Sequence, residues 1–160
     1  MSGTRNAPIL LLLGNLIWAV PGGFVMALLW GIAGVLCAIS LIGIPWARAC
    51  FTIAMFTLWP FGRVAISRRT LTGQDDLGTG ALGLIGNVIW LVLLGFWLAL
   101  GHLVLALVCA LTIIGIPFAW QHVKLAGVAL APVGMAIVEA PVAEEARRRA
   151  AAAEIDRRRQ

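Results

Sequence analysis

The chain has 160 residues, of which 61 % are hydrophobic and 12 % are charged, and its formal net charge is +5. A soluble domain has about 45–50 % apolar and about 25 % charged residues. Residues 6–47 and 77–123 contain no Asp, Glu, Lys or Arg, so helices in these two runs have no charged face to turn toward water. The composition excludes an ordinary soluble domain and predicts an integral membrane protein.

The first apolar run, Ile9–Val20, follows Arg5 and precedes two glycines, which is also the pattern of a cleaved signal peptide. The same pattern returns in the middle of the chain, 72 residues later, where signal peptidase would have no role. We therefore interpret the run as the first helix of a repeated membrane unit.

The chain contains two copies of one unit. Of the 59 positions in residues 7–65, 22 are identical to residues 79–137 without a gap. The shared motifs are Gly-Asn-x-Ile-Trp from Gly14 and Gly86, Gly-Phe from Gly23 and Gly95, and Ile-Gly-Ile-Pro from Ile42 and Ile114. Shared apolar composition does not place Asn, Trp, Gly and Pro in a fixed order, so the sequence indicates a duplication.

Each unit is predicted to contain three helices, which we name A, B and C. Helix A runs from about residue 8 to Val20, Gly23 marks a break or sharp bend, and helix B continues to Leu41. Gly43 and Pro45 end helix B, because proline disfavours a helical residue before it and has no amide hydrogen. Helix C, residues 45–59, is about 22 Å long, which is short of the roughly 30 Å hydrocarbon core. It is therefore predicted either to lie in the membrane interface or to dip into it and return.

The second unit repeats this plan, with helix A at 80–92, a break at Gly95, helix B to Ile113 and helix C at 117–131. Gly115 and Pro117 form its helix-break motif. The chain thus divides into a first membrane repeat (1–65), a cytoplasmic linker (66–78) that reads as a loop, a second membrane repeat (79–140) and a charged, helical cytosolic tail (141–160).

The positions of the cations predict the topology. If helices A and B form a hairpin and helix C stays at one face, all twelve Lys and Arg residues fall on one side. Short cytoplasmic loops carry an excess of Lys and Arg, so we expect about four spans, both termini in the cytoplasm and two units in the same orientation. In the alternative, helix C also crosses, which gives six spans and inverted repeats.

These motifs, together with Leu-Trp-Pro-Phe-Gly-Arg from Leu58, resemble the bacterial YccF family, whose members carry two copies of a short inner-membrane component domain. The resemblance covers roughly residues 8–135. It implies an integral protein of the cytoplasmic (inner) membrane, and it brings no catalytic or binding residues. The fold class predicted from the repeats is an all-α, polytopic helical bundle. The second copy departs from the first at Ala131 and Met135, where the first has Trp59 and Arg63.

Chemistry-bearing patterns are few. The sequence has no spacing typical of a metal site or a phosphate-binding loop, and no acidic residue precedes Gly73. We therefore expect no catalytic residues, no metal or other cofactor, no nucleic-acid partner and no enzyme activity. The candidate polar intramembrane residues are Asn15, Asn87 and His102. The two asparagines either line a polar path or form packing hydrogen bonds, and His102 is either a proton sensor or a neutral, hydrogen-bonded imidazole.

Gln121, His122 and Lys124 form a polar edge on the second helix C. This edge either reaches toward lipid headgroups or lines an ion-entry vestibule. Small residues at four-residue spacing form the candidate helix-packing stripes, since they allow close approach of backbones in lipid. These residues are Gly23, Ala27 and Gly31 in the first copy and Gly95 and Ala99 in the second.

Two functional hypotheses stay open beside the disfavoured one of an enzyme or coupled carrier. The first is a non-enzymatic membrane component or accessory subunit that self-associates or packs with a transporter. The second is a small homo-oligomeric channel or passive pore. The lipid bilayer is the one partner that the composition itself implies.

Overall fold

The computed structural model describes residues 7–40 and 43–159; Arg5 and Leu41 lie outside this part of the chain. This part of the chain consists of eight α-helices, two π-helical turns and one two-stranded sheet. The helices are α1 (Ala7–Trp18), α2 (Phe24–Ile39), α3 (Ile44–Leu58), α4 (Arg68–Thr72), α5 (Ala81–Trp90), α6 (Phe96–Ala110), α7 (Ile116–Leu130) and α8 (Ala140–Arg158). The strands are β1 (Arg63–Ser67) and β2 (Met135–Glu139).

Helices A and B are continuous, so the predicted break at Gly23 and Gly95 is wrong. A π-helical turn, Ala19–Gly23, joins α1 to α2, and Leu91–Gly95 joins α5 to α6 in the same way. Gly23 itself is helical, with φ −58° and ψ −45°. Glycine tolerates a bend but does not require one, and here the helix continues through it.

The hairpin of each copy therefore lies between helices B and C. α3 packs along α2 and α7 packs along α6, with the turn at the Ile-Gly-Ile-Pro motif between them. Helix C is also not a peripheral interfacial element, because Cys50, Ile53 and Phe56 of α3 are at most 1 % exposed. The central hydrophobic core is built from α3 and α7 together with the tryptophans of the long helices.

The long helix of the second copy, Ala81–Ala110, has 30 residues, and the mean hydropathy of an 18-residue window within it is 2.5. Within the described residues it is the one helix whose length and composition suit a membrane crossing. Its counterpart in the first copy is helical from Ala7 to Ile39 and consists of shorter apolar pieces around the π-helical turn. At 1.5 Å per residue, the second long helix measures about 45 Å and exceeds the hydrocarbon core.

The prediction of an all-α chain missed the two-stranded ribbon. β1 and β2 pair antiparallel, and Ala65 lies opposite Ile137. These two residues are equivalent positions of the two copies, so the ribbon is centred on a pseudo-two-fold axis. The linker is consequently not a loop throughout, since its first residues complete β1 and the next form α4.

The two hairpins lie head to tail. The indole nitrogen of Trp46, at the start of α3, donates to the carbonyl of Gly86 in α5 at 3.1 Å. Symmetrically, the Phe118 ring at the start of α7 stacks on Trp18 of α1 at 6.2 Å. The tip of each hairpin thus lies beside the base of the other, and the prediction that both units run in the same direction is wrong for the hairpin axes.

The ribbon separates the hydrophobic core from a charged cap, which we define as α4 and α8. Side chains alternate across a strand: Ala65 and Ile137 contact the central core, whereas Val64 and Ile66 pack with Ala143 and other cap residues. α8 is helical, and its Glu145–Arg149 and Glu154–Arg158 ion pairs occur at i,i+4. The linker and the tail therefore lie together on one face of the molecule.

Candidate functional site

Asn15 and Asn87 fasten the base of each hairpin. The Asn15 amide nitrogen donates to the Phe61 carbonyl at 3.2 Å, and its oxygen accepts from the Phe61 amide at 2.9 Å. Asn87 makes the same two bonds with Val133, at 3.0 and 2.9 Å. We call this arrangement the Asn clasp. It satisfies the backbone just after helix C, where the helix has ended and its amides and carbonyls lack intrahelical partners.

The tryptophan of the same motif holds the end of helix C. The Trp18 indole nitrogen donates to the carbonyl of Thr57 at 2.6 Å, and that of Trp90 donates to the carbonyl of Ala129 at 2.8 Å. Each indole also lies against the glycine five residues later, because a β-carbon added at Gly23 would lie 2.5 Å from Trp18 Cδ1. Gly23 and Gly95 are therefore sites of close approach by an indole ring.

A hydroxyl group closes each hairpin tip, and the sequence motif did not reveal it. The Gly43 amide donates to Ser40 Oγ at 3.0 Å, and Ser40 Oγ donates to the Cys37 carbonyl at 2.7 Å. Gly115 and Thr112 repeat the first bond at 3.0 Å. The signal was present, since Ser and Thr occupy equivalent positions. Pro45 and Pro117 lie in the first turn of α3 and α7, the position that proline favours.

His102 is fully buried and contacts a second histidine. Its Nδ1 lies 3.2 Å from Nδ1 of His122, which is 8 % exposed and packs on the Trp18 ring at 4.7 Å. One ring must donate and the other accept for this bond to form. The pair joins the long helix of the second copy to its helix C and abuts the first copy.

The predicted polar edge of α7 points inward and does not reach toward lipid headgroups. Gln121 is 5 % exposed, and its amide nitrogen donates to the Pro117 carbonyl at 3.1 Å. The ammonium of Lys124 crosses between the copies and donates to the carbonyls of Pro60 and Arg63, both at 2.8 Å. These carbonyls follow the C-terminus of α3, and a cation is favourable near that end of a helix. Sequence reasoning missed this link because it depends on the packing of the two copies.

The predicted small-residue stripes divide into packed and open positions. Ala99 is 2 % exposed and belongs to the central core. Ala27 is half-buried, whereas a β-carbon at Gly31 would meet nothing within 4 Å. Among the described residues, Gly31 thus makes no close helix contact on the side where its β-carbon would lie. In the part of the chain that the structure describes, no three His, Cys, Asp or Glu side chains cluster as metal ligands would.

The comparisons with known proteins agree with the motifs just described. The model of the YccF family, described as an inner membrane component domain, matches residues 13–63 and again residues 85–135. The chain belongs to the YccF family. Both matched ranges contain the Asn clasp, the Trp–Gly contact and the hairpin tip, which confirms the resemblance and the internal duplication.

Two relatives, both called inner membrane protein YccF, come from Escherichia coli (strain K12) and Shigella flexneri. Each is 34 % identical over 136 residues, which cover 83 % of this chain and 90 % of the relative. No solved structure matches the chain. Membership of the family places the protein in the bacterial inner membrane, as its composition predicts.

Proposed function

We propose that the protein is a non-enzymatic component of the inner membrane, an accessory subunit that self-associates or packs with a transporter through its long helices. The proposal rests on the hydrogen bonds that the repeated polar residues make within the fold. Backbone groups at the hairpin base bind the side-chain amides of Asn15 and Asn87. They also accept hydrogen bonds from the indole nitrogens of Trp18 and Trp90. These side chains fasten the fold and are not free to coordinate a substrate.

The outer surface supports the same proposal. The long helices expose large apolar side chains such as Leu28, Leu29 and Leu107, which are between 54 % and 68 % exposed. Such faces contact either lipid or other apolar helices. Lipid gives helices no hydrophobic drive to associate, so small residues that allow close backbone approach promote association. Gly31 is half-buried, and a β-carbon added there would meet none of the described residues within 4 Å.

The charged cap supports our proposal that both termini are cytoplasmic. α8 and α4 pack together over the ribbon, so the arginines of the linker and those of the tail share one face. That is the distribution expected of a cytoplasmic surface. The four-span prediction placed its periplasmic connections near Gly23 and Gly95, inside helices that are continuous. Because the hairpins lie head to tail, the tips at Ser40 and Thr112 lie at opposite ends of the pair, and the side of the membrane that each tip occupies decides the topology.

Reporter insertions test this topology. A fluorescent protein fused after residue 160 should fluoresce, and alkaline phosphatase inserted after Ser40 or Thr112 should be active only if the tips are periplasmic. A phosphatase within residues 73–78 serves as the matched control and should be inactive. Activity at one tip and not at the other would support hairpins that cross the membrane in opposite directions. Inactivity at both tips would support hairpins that enter and leave on the cytoplasmic face.

The accessory role is tested by purification in mild detergent with native mass measurement. We expect a stable partner protein or a discrete self-association that Gly31→Leu weakens, and no ion flux when the protein is placed in liposomes. Selective flux would instead support the channel hypothesis, in which Asn15, Asn87 or His102 must face a shared axis. Flux abolished by Asn87→Leu in protein that retains its fold would overturn the accessory role.

A further inference from the structure

A cleft of about 570 Å³ lies between the two copies, bounded by the start of α3, by α5 and by the turn after α7. Its walls include the apolar side chains of Trp46, Leu82, Ile85 and Ile89. Arg48 of α3 and Arg68 of α4 also line it. The cleft thus combines an apolar trough with two guanidinium groups.

The pseudo-two-fold axis relates the cleft to an equivalent groove on the other side of the molecule, which we call the mate. Protein side chains fill the mate, and the cleft lacks their counterparts. In the mate, Phe61 lies against Gly14 and edge-on to Phe118 at 5.6 Å. Lys124 closes it further by binding the Pro60 and Arg63 carbonyls. The cleft has the smaller Val133 in place of Phe61 and Thr52 in place of Lys124.

Neither replacement fills the space. The hydroxyl of Thr52 turns back to the Arg48 carbonyl of its own helix, at 2.9 Å. A β-carbon added at Gly86, the equivalent of Gly14, would meet only Val133, at 3.9 Å. The duplication therefore produced two related grooves, of which one is closed by protein side chains and one is open.

The charges of the open groove favour an anion. Arg48 is exposed, and among the described residues it forms no ion pair. Arg68 donates from Nε and Nη2 to Asp76, at 2.6 and 3.0 Å, so this pair is nearly neutral, and the Arg68 side chain is partly exposed in the cleft wall. Arg48 thus supplies the net positive charge, and guanidinium groups suit phosphate oxygens.

We propose that this cleft binds one anionic phospholipid, with its phosphate at Arg48 and Arg68 and an acyl chain along the apolar wall of α5. The membrane supplies this ligand at high local concentration, and basic pockets between membrane helices suit anionic headgroups. The proposal is independent of the accessory role. It assigns a function to the sequence divergence between the two copies at Thr52 and Val133.

Native mass spectrometry of the full chain in mild detergent tests the proposal, with phosphatidylglycerol or phosphatidylcholine added. We expect one tightly held phosphatidylglycerol and little phosphatidylcholine. R48Q should weaken phosphatidylglycerol binding roughly tenfold, because one charge-assisted contact is lost. V133F should weaken both lipids, since it supplies the ring that Phe61 places in the filled mate.

R69Q is the matched control, because it removes the same charge from an arginine that is 62 % exposed, pairs with Asp75 and does not line the cleft. Each variant should elute as one species with an unchanged melting temperature, and the R48Q–R69Q comparison suffices if V133F does not fold. Equal phosphatidylglycerol binding by wild type, R48Q and R69Q would overturn the proposal. So would a second protein copy that occupies the cleft in place of lipid.

Discussion

The two copies share the residues that close each hairpin and differ in those that face the other copy. Both keep the Asn clasp, the Trp–Gly contact and the hydroxyl at the tip. Helix C, in contrast, carries Cys50 and Thr52 in the first copy but His122 and Lys124 in the second. Internal closure of a hairpin is therefore a requirement of each copy, whereas the interface between copies was free to become asymmetric.

Lys124 shows the consequence of this asymmetry. It binds carbonyls of the first copy, while its equivalent, Thr52, bonds only within its own helix. One side of the pseudo-dimer is thus linked by a cation and the other remains a cleft. Four predictions test how far the copies are equivalent.

The largest loss of unfolding free energy is expected from substitutions in the Asn clasp. N15A and N87A each leave a backbone amide and a carbonyl without their partner, at a cost of about 1–3 kcal/mol per buried group. N15A should cost more, because Asn15 is 1 % exposed whereas Asn87 is half-buried. Unfolding in mixed micelles with increasing dodecyl sulfate measures the difference. The outward-facing L16A is the control, and a loss as large as that of N15A would refute a special role for the clasp.

The next largest loss of unfolding free energy is expected at Gly23 and Gly95, the glycines that contact the indole rings. G23A and G95A should lower the free energy of unfolding by about 1–3 kcal/mol through overpacking, since each indole is held by its bond to helix C and cannot withdraw. G31A should be neutral or stabilising by up to about 1 kcal/mol, because alanine is the better helix former and its β-carbon meets open space. Equal effects at all three glycines would mean that helix propensity alone decides, and the indole contact would lose its importance.

A smaller effect is expected from the histidine pair. H122A leaves His102, which is fully buried, with a nitrogen that has lost its partner, at a cost of about 1–2 kcal/mol. The double variant H102W/H122C should recover part of the loss, because it reproduces the Trp30 and Cys50 of the first copy. A double-mutant cycle on the same unfolding transition measures the coupling. A coupling free energy of zero would show that the two rings are independent.

The smallest effect lies in the linker, which has no equivalent in the other copy. The hydrogen bond from Arg68 lowers the pKa of Asp76 far below its ordinary value of 3.8. A lowered carboxyl pKa stabilises the fold above the ordinary pKa, and the contribution is lost as the pH falls through the lowered one. Protease cleavage of residues 73–78 should therefore be constant from about pH 8 to about pH 5.

In D76N the linker should be cleaved faster than in the wild type already at neutral pH. Its cleavage rate should not rise further through loss of the Arg68–Asp76 pair when the pH is lowered. The matched control is D75N, whose carboxylate lies 3.4 Å from Arg69 at an exposed position. Identical cleavage of the two variants would contradict a specific role of the Arg68–Asp76 pair.

Much of the architecture follows from the sequence alone. The charge-free runs establish the membrane class, and the residues repeated at one spacing establish the duplication, because both are properties of composition and order along the chain. The helix end at Gly43 and Pro45 is also local, since proline acts on its immediate neighbours. The family resemblance depends on the same motifs.

Only the tertiary structure decided the continuity of helices A and B, the ribbon and the inward position of α7. Gly23 is compatible with a bend or a helix. In the structure it is helical and lies against the indole of Trp18, which is held by a carbonyl 39 residues away. Likewise, the roles of Lys124 and the open cleft depend on which residues of one copy meet the other. These long-range contacts cannot be read from local residue order, because they form and stabilise the fold only when the two hairpins pack head to tail.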